Sequence, residues 1–368
     1  MTRRLLSIMV GVGLLGGVGL LVLLAGDPRV GRLLLDQRRP DVLVRGDVGG
    51  EKIEFLRNPD VVRVLQDGYG VRVDPRRVGS LEMARSPSAG ADFIWPAHET
   101  AADLFRALGR HPAGEANIFS TPIVVLSWTP VVRALEAQGY VARQDGTYYL
   151  LKLDALLADV RRSRPWAELG LPQLFGPVSV ISTHPAQSNS GMMFAALAAT
   201  VMNGGRTPTP DDMDRIGPDL RAMFERLGRM EDSSGKIFQQ FLSQGMGAFP
   251  LMVAYENQLI EYYEAAPEAE RQVIADRVRV LYPVPTTWAS HPLLALNDNG
   301  RRLIEALQDP EIRRIAWTRH GFRRPGAPIA ERPEAAAKLG MPADVGGVVP
   351  LPSTAAIERM LERYIPAN

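Results

Sequence analysis

The chain contains no cysteine. That excludes disulfide staples, thiolate nucleophiles, thiolate metal sites and attachment through a lipoprotein cysteine. Catalytic signatures are missing as well. No G-x-S-x-G occurs, because the serines before Gly191 lack the leading glycine. There is no H-E-x-x-H, and His98-Glu99 is only an adjacent pair. Nucleotide hydrolysis has no support without a G-x-x-x-x-G-K-[ST]. The histidines, His98, His111, His184, His291 and His320, are scattered. His184 lies in a polar loop with no acid partner beside it in sequence, so a structural or ligand-contacting role is favoured over a catalytic base. A non-catalytic protein without metal or cofactor is expected.

Charge of one sign is also lacking. The 42 basic residues face 41 acidic ones. Arg3 and Arg4 are the only charges before Asp27, so the remainder is close to neutral and carries no nucleic-acid footprint. What is present at the start is an apolar run from Leu5 to Gly26, with Ser7 as its one hydroxyl. At ~1.5 Å per residue it spans roughly 33 Å, about the hydrocarbon thickness of a bilayer. The arginines in front of it set the N-terminus in the cytoplasm and the rest outside. The run exceeds the roughly 7–15 residues usual for a signal peptide, and Leu23-Leu24-Ala25 is a poor small-x-small site. Residues 1–26 are therefore expected to be a retained transmembrane helix rather than a cleaved signal. Residues 27–40 read as a linker. The expected location is the extracytoplasmic face of a bacterial cell membrane.

From Asp41 strands and helices alternate, which argues for an α/β protein with a mostly parallel sheet. Asp41–Arg45, Val71–Val73 and Ala91–Trp95 read as strands. Between them, Glu51–Gln66 reads as a helical stretch broken at Asn58-Pro59, and Leu81–Arg85 as a helix with Ser80 as N-cap. Ile118 to Trp128 is long, apolar and β-rich, suited to cross from one lobe to another, and Val278 to Val284 suits the return. Val178–Thr183 and Leu251–Tyr255 read as further strands, and Thr354–Arg363 as an amphipathic helix capped by Ser353. About 340 residues beyond the apolar run suggest two lobes.

The strongest local feature is Ser182-Thr183-His184-Pro185-Ala186-Gln187-Ser188-Asn189-Ser190-Gly191. A strand runs into a polar loop, and the loop runs directly into the helix MMFAALAATVM. The first N–H groups of a helix have no intrahelical partner, and its dipole adds partial positive charge there. Ser188, Asn189, Ser190 and Gly191 thus point to an acceptor-rich ligand. A cap alone needs only one of them. Gly49-Gly50-Glu51 and Gly79-Ser80 make similar turns, and ligands of open α/β sheets lie outside the carboxyl ends of strands. Glu51 favours a ligand with some donor character. Trp95, Tyr255 and Trp288 fall near strand ends, where aromatics wall clefts as well as cores. Ser120-Thr121 and Thr286-Thr287 are hydroxyls near the crossings.

These pieces, "RGDVGGEKIEFLRNPDVVRVL", "VGSLEMA", "DFIWP", "FSTPIVVLSW", "STHPAQSNSGMMFAAL", "MVAYEN", "VLYPVPTTWASHP" and "RHGFRR", stand in an order that resembles the extracytoplasmic solute-binding proteins of ABC importers. The resemblance is to the type II periplasmic-binding fold, near the molybdate and other oxyanion binders, and covers about Val42 to Arg324. It implies a lobe of residues 41–120 plus 281–330, a second lobe of 121–280, and an extension at 331–368. It implies a ligand, a small molecule or oxyanion, held in the cleft by Gly50, Ser80, Ser120, Thr121, Ser188, Asn189, Ser190 and Tyr255, and an ABC permease as partner. Glycine at position 50 replaces the hydroxyl frequent in oxyanion binders. A rival reading is a membrane-anchored sensory or structural partner of an envelope complex with a degenerate cleft.

Overall fold

The computed structural model describes residues 41–325 and 334–366. Among the described residues no helix is long and apolar enough to cross a membrane. The expected anchor at 1–26 and linker at 27–40 lie outside the described residues, as do 326–330 and, of the expected extension, 331–333 and 367–368.

The chain opens with β1 (Val42–Val48), a 3₁₀ turn at Gly50–Lys52, α1 (Ile53–Arg57), α2 (Pro59–Tyr69), β2 (Val71–Arg77), α3 (Ser80–Arg85), β3 (Phe93–Trp95), α4 (Glu99–Ala107) and β4 (Gly114–Asn117). It crosses on β5 (Thr121–Trp128) to α5 (Thr129–Ala137), β6 (Val141–Gln144), β7 (Tyr148–Lys152), α6 (Leu153–Arg162), α7 (Asn189–Met202), α8 (Pro210–Glu225) and α9 (Ser234–Gln244). Then follow β8 (Leu251–Tyr255), α10 (Glu256–Ala265), α11 (Glu268–Arg277), β9 (Val278–Val284), β10 (Trp288–Ala289) and β11 (Pro292–Ala295). The last elements are α12 (Asp298–Leu307), α13 (Pro310–His320), α14 (Glu334–Lys338) and α15 (Thr354–Arg363).

Two sheets result. The first has the order β2-β1-β3-β11-β4, and the second β10-β5-β9-β7-β6 with β8 on the other side of β5. In the first sheet β1 runs parallel to β2 and β3, whereas β11 is antiparallel to both neighbours. In the second, β5 is antiparallel to β8 and β9, and only β7 runs parallel to β9. The mostly parallel sheet expected from the alternation is therefore a mixed pair of sheets. Hairpins and single crossings replace βαβ units after β4. The chain stays with the second sheet through Ala289, past the expected return at residue 281, and rejoins the first at β11.

Local sequence explains most boundaries. Asn58 caps α2 by accepting from the Asp60 and Val61 amides, with Pro59 at the first helical position, and Gly70 ends it at φ +58°. β5 is buried along nearly its whole length, which fits its lack of charge and its place between β8 and β9. The expected strand at Val178–Thr183 shrinks to one residue. Ile181 exchanges two 2.9 Å bonds with β8, through Leu251 and Val253, and then Ser182 and Thr183 turn away into the loop. Ser80 is not the cap of α3: Gly79 takes that place, and the Ser80 hydroxyl accepts from the Ala97 amide at 3.0 Å.

His98 is the N-cap of α4, its Nδ1 accepting from the Thr100 amide at 3.1 Å. Burial pulls its pKa down from the usual 6.5 to about 4. Between these values the unfolded chain binds the extra proton and the folded one does not, so stability falls as pH drops from 6.5 to 4. We expect a loss of about 1–2 kcal/mol over that window from this group, discounted for its partial exposure. His98→Asn keeps a capping oxygen and should flatten the slope. Urea denaturation at pH 7 and pH 4.5 measures both; an unchanged slope in the variant contradicts the assignment.

Candidate functional site

A cavity of about 410 Å³ opens where the two sheets face each other. Connections from the first sheet supply Gly49 to Glu51 and Arg77 to Glu82; connections from the second supply Pro185 to Asn189, Met192, Asp232 to Ser234 and Tyr255. Two long helices begin here. The first intrahelical bonds are Met192 N–H to Ser188 C=O, 3.0 Å, and Ile237 N–H to Ser233 C=O, 3.2 Å. The amides of residues 189–191 and 234–236 therefore have no partner within their own helices. Neither helix has a side-chain cap, unlike α2, α4, α8, α12, α13 and α15. These starts present backbone donors and the positive ends of two dipoles to one space.

The approach between the halves is close. A Cβ on Gly79 would stand 2.9 Å from the Gln187 carbonyl oxygen, so the turn after β2 lies against the loop before α7. Arg77 Nη1 donates to Ser233 Oγ at 3.3 Å across the gap. Asn189 Nδ2 donates to the Tyr255 hydroxyl at 2.9 Å, while its Oδ1 is buried without a partner.

Behind the wall sits a buried charge cluster. Lys52 is wholly buried, its Nζ bonded to Glu51 Oε1 and lying 5.6 Å from the Trp95 ring centre. Burial lowers the Lys52 pKa, and Glu51 opposes that. His291 Nδ1 is 3.6 Å from Glu51 Oε1, yet neither ring nitrogen is hydrogen-bonded. Burial holds His291 well below 6.5, aided by Lys52 and His98. Burial, reinforced by Glu51, raises the Tyr255 phenol well above 10. The cavity wall thus carries a phenol that stays neutral at neutral pH and the Glu51 side chain, already in contact with Lys52 Nζ. Lys52 and His291 escaped the sequence reading; Lys52, next to a glycine pair and an acid, was the legible one.

The structure brings Gly50, Glu51, Gly79, Ser80, Ser188, Asn189 and Tyr255 to the cavity. The other expected residues do not line it. Ser190 is buried, bonded to Thr183 Oγ1 at 2.9 Å and Ser188 Oγ at 3.1 Å. Gly191 packs on the loop behind it. Trp95 is core, its indole N–H donating to the His291 carbonyl. Ser120 bridges to Arg323, Thr121 Oγ1 accepts from the Asn257 amide, and Thr286 Oγ1 donates to the Ile123 carbonyl. Trp288 faces the Arg323 guanidinium at 5.4 Å. His184 bonds to Pro366 and Ala186, and Ser190 to other hydroxyls, so no nucleophile–base pair links the two.

Comparison with known proteins agrees on fold. No family model matches the sequence, and no curated protein does. Among solved structures, the periplasmic binding protein AfuA from Actinobacillus pleuropneumoniae, with fructose-6-phosphate bound, matches 89% of this chain and 98% of its own at 11% identity, TM-score 0.51. The sulfate-binding protein SubI from Mycobacterium tuberculosis matches 87% and 96% at 14% identity, TM-score 0.50. The ferric ion-binding protein A from Pasteurella haemolytica, in its apo form, matches 87% and 94% at 10% identity, TM-score 0.50.

Gly191 supplies a test of how α7 is seated. A Cβ there would lie 2.3 Å from the backbone oxygen of Thr183. Gly191→Ala should cost about 2 kcal/mol or more, because backbone must move rather than a side chain. Chemical denaturation measures it; a change below about 0.5 kcal/mol contradicts the packing. With its two facing sheets and these structural relatives, the chain has the periplasmic solute-binding-protein fold of type II.

Proposed function

We propose that the chain captures a small solute between two lobes on the extracytoplasmic side of the membrane and hands it to an ABC-type permease, without covalent chemistry. In this reading the lobes are those expected at 41–120 plus 281–330 and 121–280, with the second boundary moved to between β10 and β11 because β9 and β10 pair in the second sheet. The apolar run at 5–26 anchors the chain. The carrying observation is that α7 and α9 start without side-chain caps at one cavity whose other wall comes from the opposite sheet. Unpartnered amides behind a helix start suit an acceptor-rich group, a phosphate, sulfate or carboxylate. At ~30 Å³ per water the cavity equals about fourteen waters, far more than a bare tetrahedral anion fills. Among the described residues Arg77 is the one cation on the lining, against Glu51, Glu82 and Asp232. Size and lining together favour an organic solute that has an acidic group and also offers donors. Closure about the crossing strands would bury it, and a few kcal/mol of differential affinity suffices to shift the population.

The rival reading, a sensory or structural partner with a degenerate cleft, draws on one observation. A single apolar cluster runs from α3 and α4 of the first sheet through α15 into α7 and α8, which ties the halves along one edge.

Native mass spectrometry of protein purified without denaturation should find a bound small molecule. Asn189→Asp should lower its affinity at least tenfold, about 1.4 kcal/mol, by setting a carboxylate among the free amides. Aspartate at a helix start favours the fold, so the loss would not reflect unfolding. No bound mass, together with no heat on titration with sulfate, phosphate and glucose 6-phosphate, would count against capture.

A further inference from the structure

The carboxyl-terminal segment runs back over the molecule to the loop in front of α7. It first meets the crossing region. Arg323 Nη1 and Nη2 donate to the Ala343 and Pro342 carbonyls, each at 2.8 Å. The Thr286 amide donates to the Gly347 carbonyl at 3.0 Å, and the Val349 amide to the Thr286 carbonyl at 2.8 Å. Next, α15 packs against α7 and α8 of the second sheet and against α4 of the first. Glu358 on α15 lies 3.6 Å from Arg85 on α3. The Tyr364 ring lies flat on α8 where Gly217 has no side chain; a Cβ there would be 2.4 Å from the ring. The Tyr364 hydroxyl donates to Asp214 at 2.8 Å.

The segment then reaches His184. Pro366 C=O is 2.9 Å from His184 Nε2. A carbonyl only accepts, so Nε2 carries the proton. His184 Nδ1 is then free to accept from the Ala186 amide at 3.2 Å. The carbonyl of His184 accepts from the Gln187 and Ser188 amides at 3.0 and 2.9 Å. One buried ring thus ties Pro366 to the loop that fixes where α7 begins. Nothing in the capture reading uses His184 or the segment after Arg324.

We propose that residues 342–366 are a strap across both halves and that His184 is a positioning residue, transmitting the strap's hold to the loop 183–188 at the cavity. The strap keeps the amides at the start of α7 aimed before any solute arrives. Pre-set donors lower the ordering cost of binding. A strap that leaves its seat frees the loop and weakens the site without touching the solute.

Hydrogen–deuterium exchange of the solute-free full chain tests this, and needs no ligand, so its outcome is independent of whether the capture reading holds. In His184→Ala, and in a chain ending at Arg363, peptides covering 183–191 should exchange at least tenfold faster, with β5 and β9 unchanged. His184→Gln, which keeps a donor toward Pro366, should stay within about twofold of the parent. Unchanged exchange at 183–191 in His184→Ala would overturn the proposal. So would a rise in all peptides together, which means general loosening. Should the shortened chain fail to fold, the two single substitutions decide alone.

Discussion

Both sheets hang on one buried charge. Arg323 is 4% exposed and Glu256 is fully buried, joined by two bonds of 2.6 Å. The Tyr282 hydroxyl donates to the same carboxylate, and the rings of Trp288 and Trp317 lie 5.4 and 5.7 Å from the guanidinium. Removing either partner of such a pair leaves an uncompensated charge, a loss of about 3–5 kcal/mol. Its position gives it reach. Glu256 opens α10 directly after β8 of the second sheet. Arg323 follows α13, whose apolar face packs with the first. The Ser120 backbone exchanges two bonds with Arg323 just before β5 crosses. Crossing strands, the last helix of the first half and the returning carboxyl-terminal segment all meet at this arginine.

With that junction fixed, the strand-to-helix turns of the two halves face each other, and their backbone donors have nowhere else to go. Glycine at 79 permits the approach; at Gly49 a Cβ would collide with the Glu51 carboxyl group of the same turn. Two of the acidic groups on the cavity already have a partner, Glu51 in Lys52 and Asp232 in Lys236. Selectivity on such a lining depends on where amides and hydroxyls stand rather than on net charge. The hold of His184 and the carboxyl-terminal segment on one rim belongs to the same logic.

Elements with a strong pattern were legible from sequence. Leu251–Tyr255 and Val278–Val284 are strands at those bounds, and Ser353 caps α15 over Thr354–Arg363. The β6–β7 hairpin was missed, though Asp145-Gly146, both at positive φ, marks its turn. α11 gave no signal because Ile274 is its one buried residue. At the site, glycine turns and the Ser188-Asn189 stretch were legible because backbone chemistry is local. Trp95, Thr121 and Thr286 stand off the cavity lining, because aromatics and hydroxyls at strand ends serve the core as readily as a cleft. The α9 start, Ser233-Ser234, carries the same serine signal as Ser188 but lacks a strand before it. Lys52 and His291 belong together only through tertiary contact.

The central claim is that amides from α7 and α9 meet a solute that also touches the opposite half. Amide-resolved nuclear magnetic resonance of the labelled protein, titrated with its co-purified solute or with glucose 6-phosphate, tests it most directly. The account predicts the largest shifts at residues 189–191 and 234–236, with accompanying shifts at Gly50 and Gly79. Saturable shifts confined to one half, or to a surface away from these turns, would contradict it.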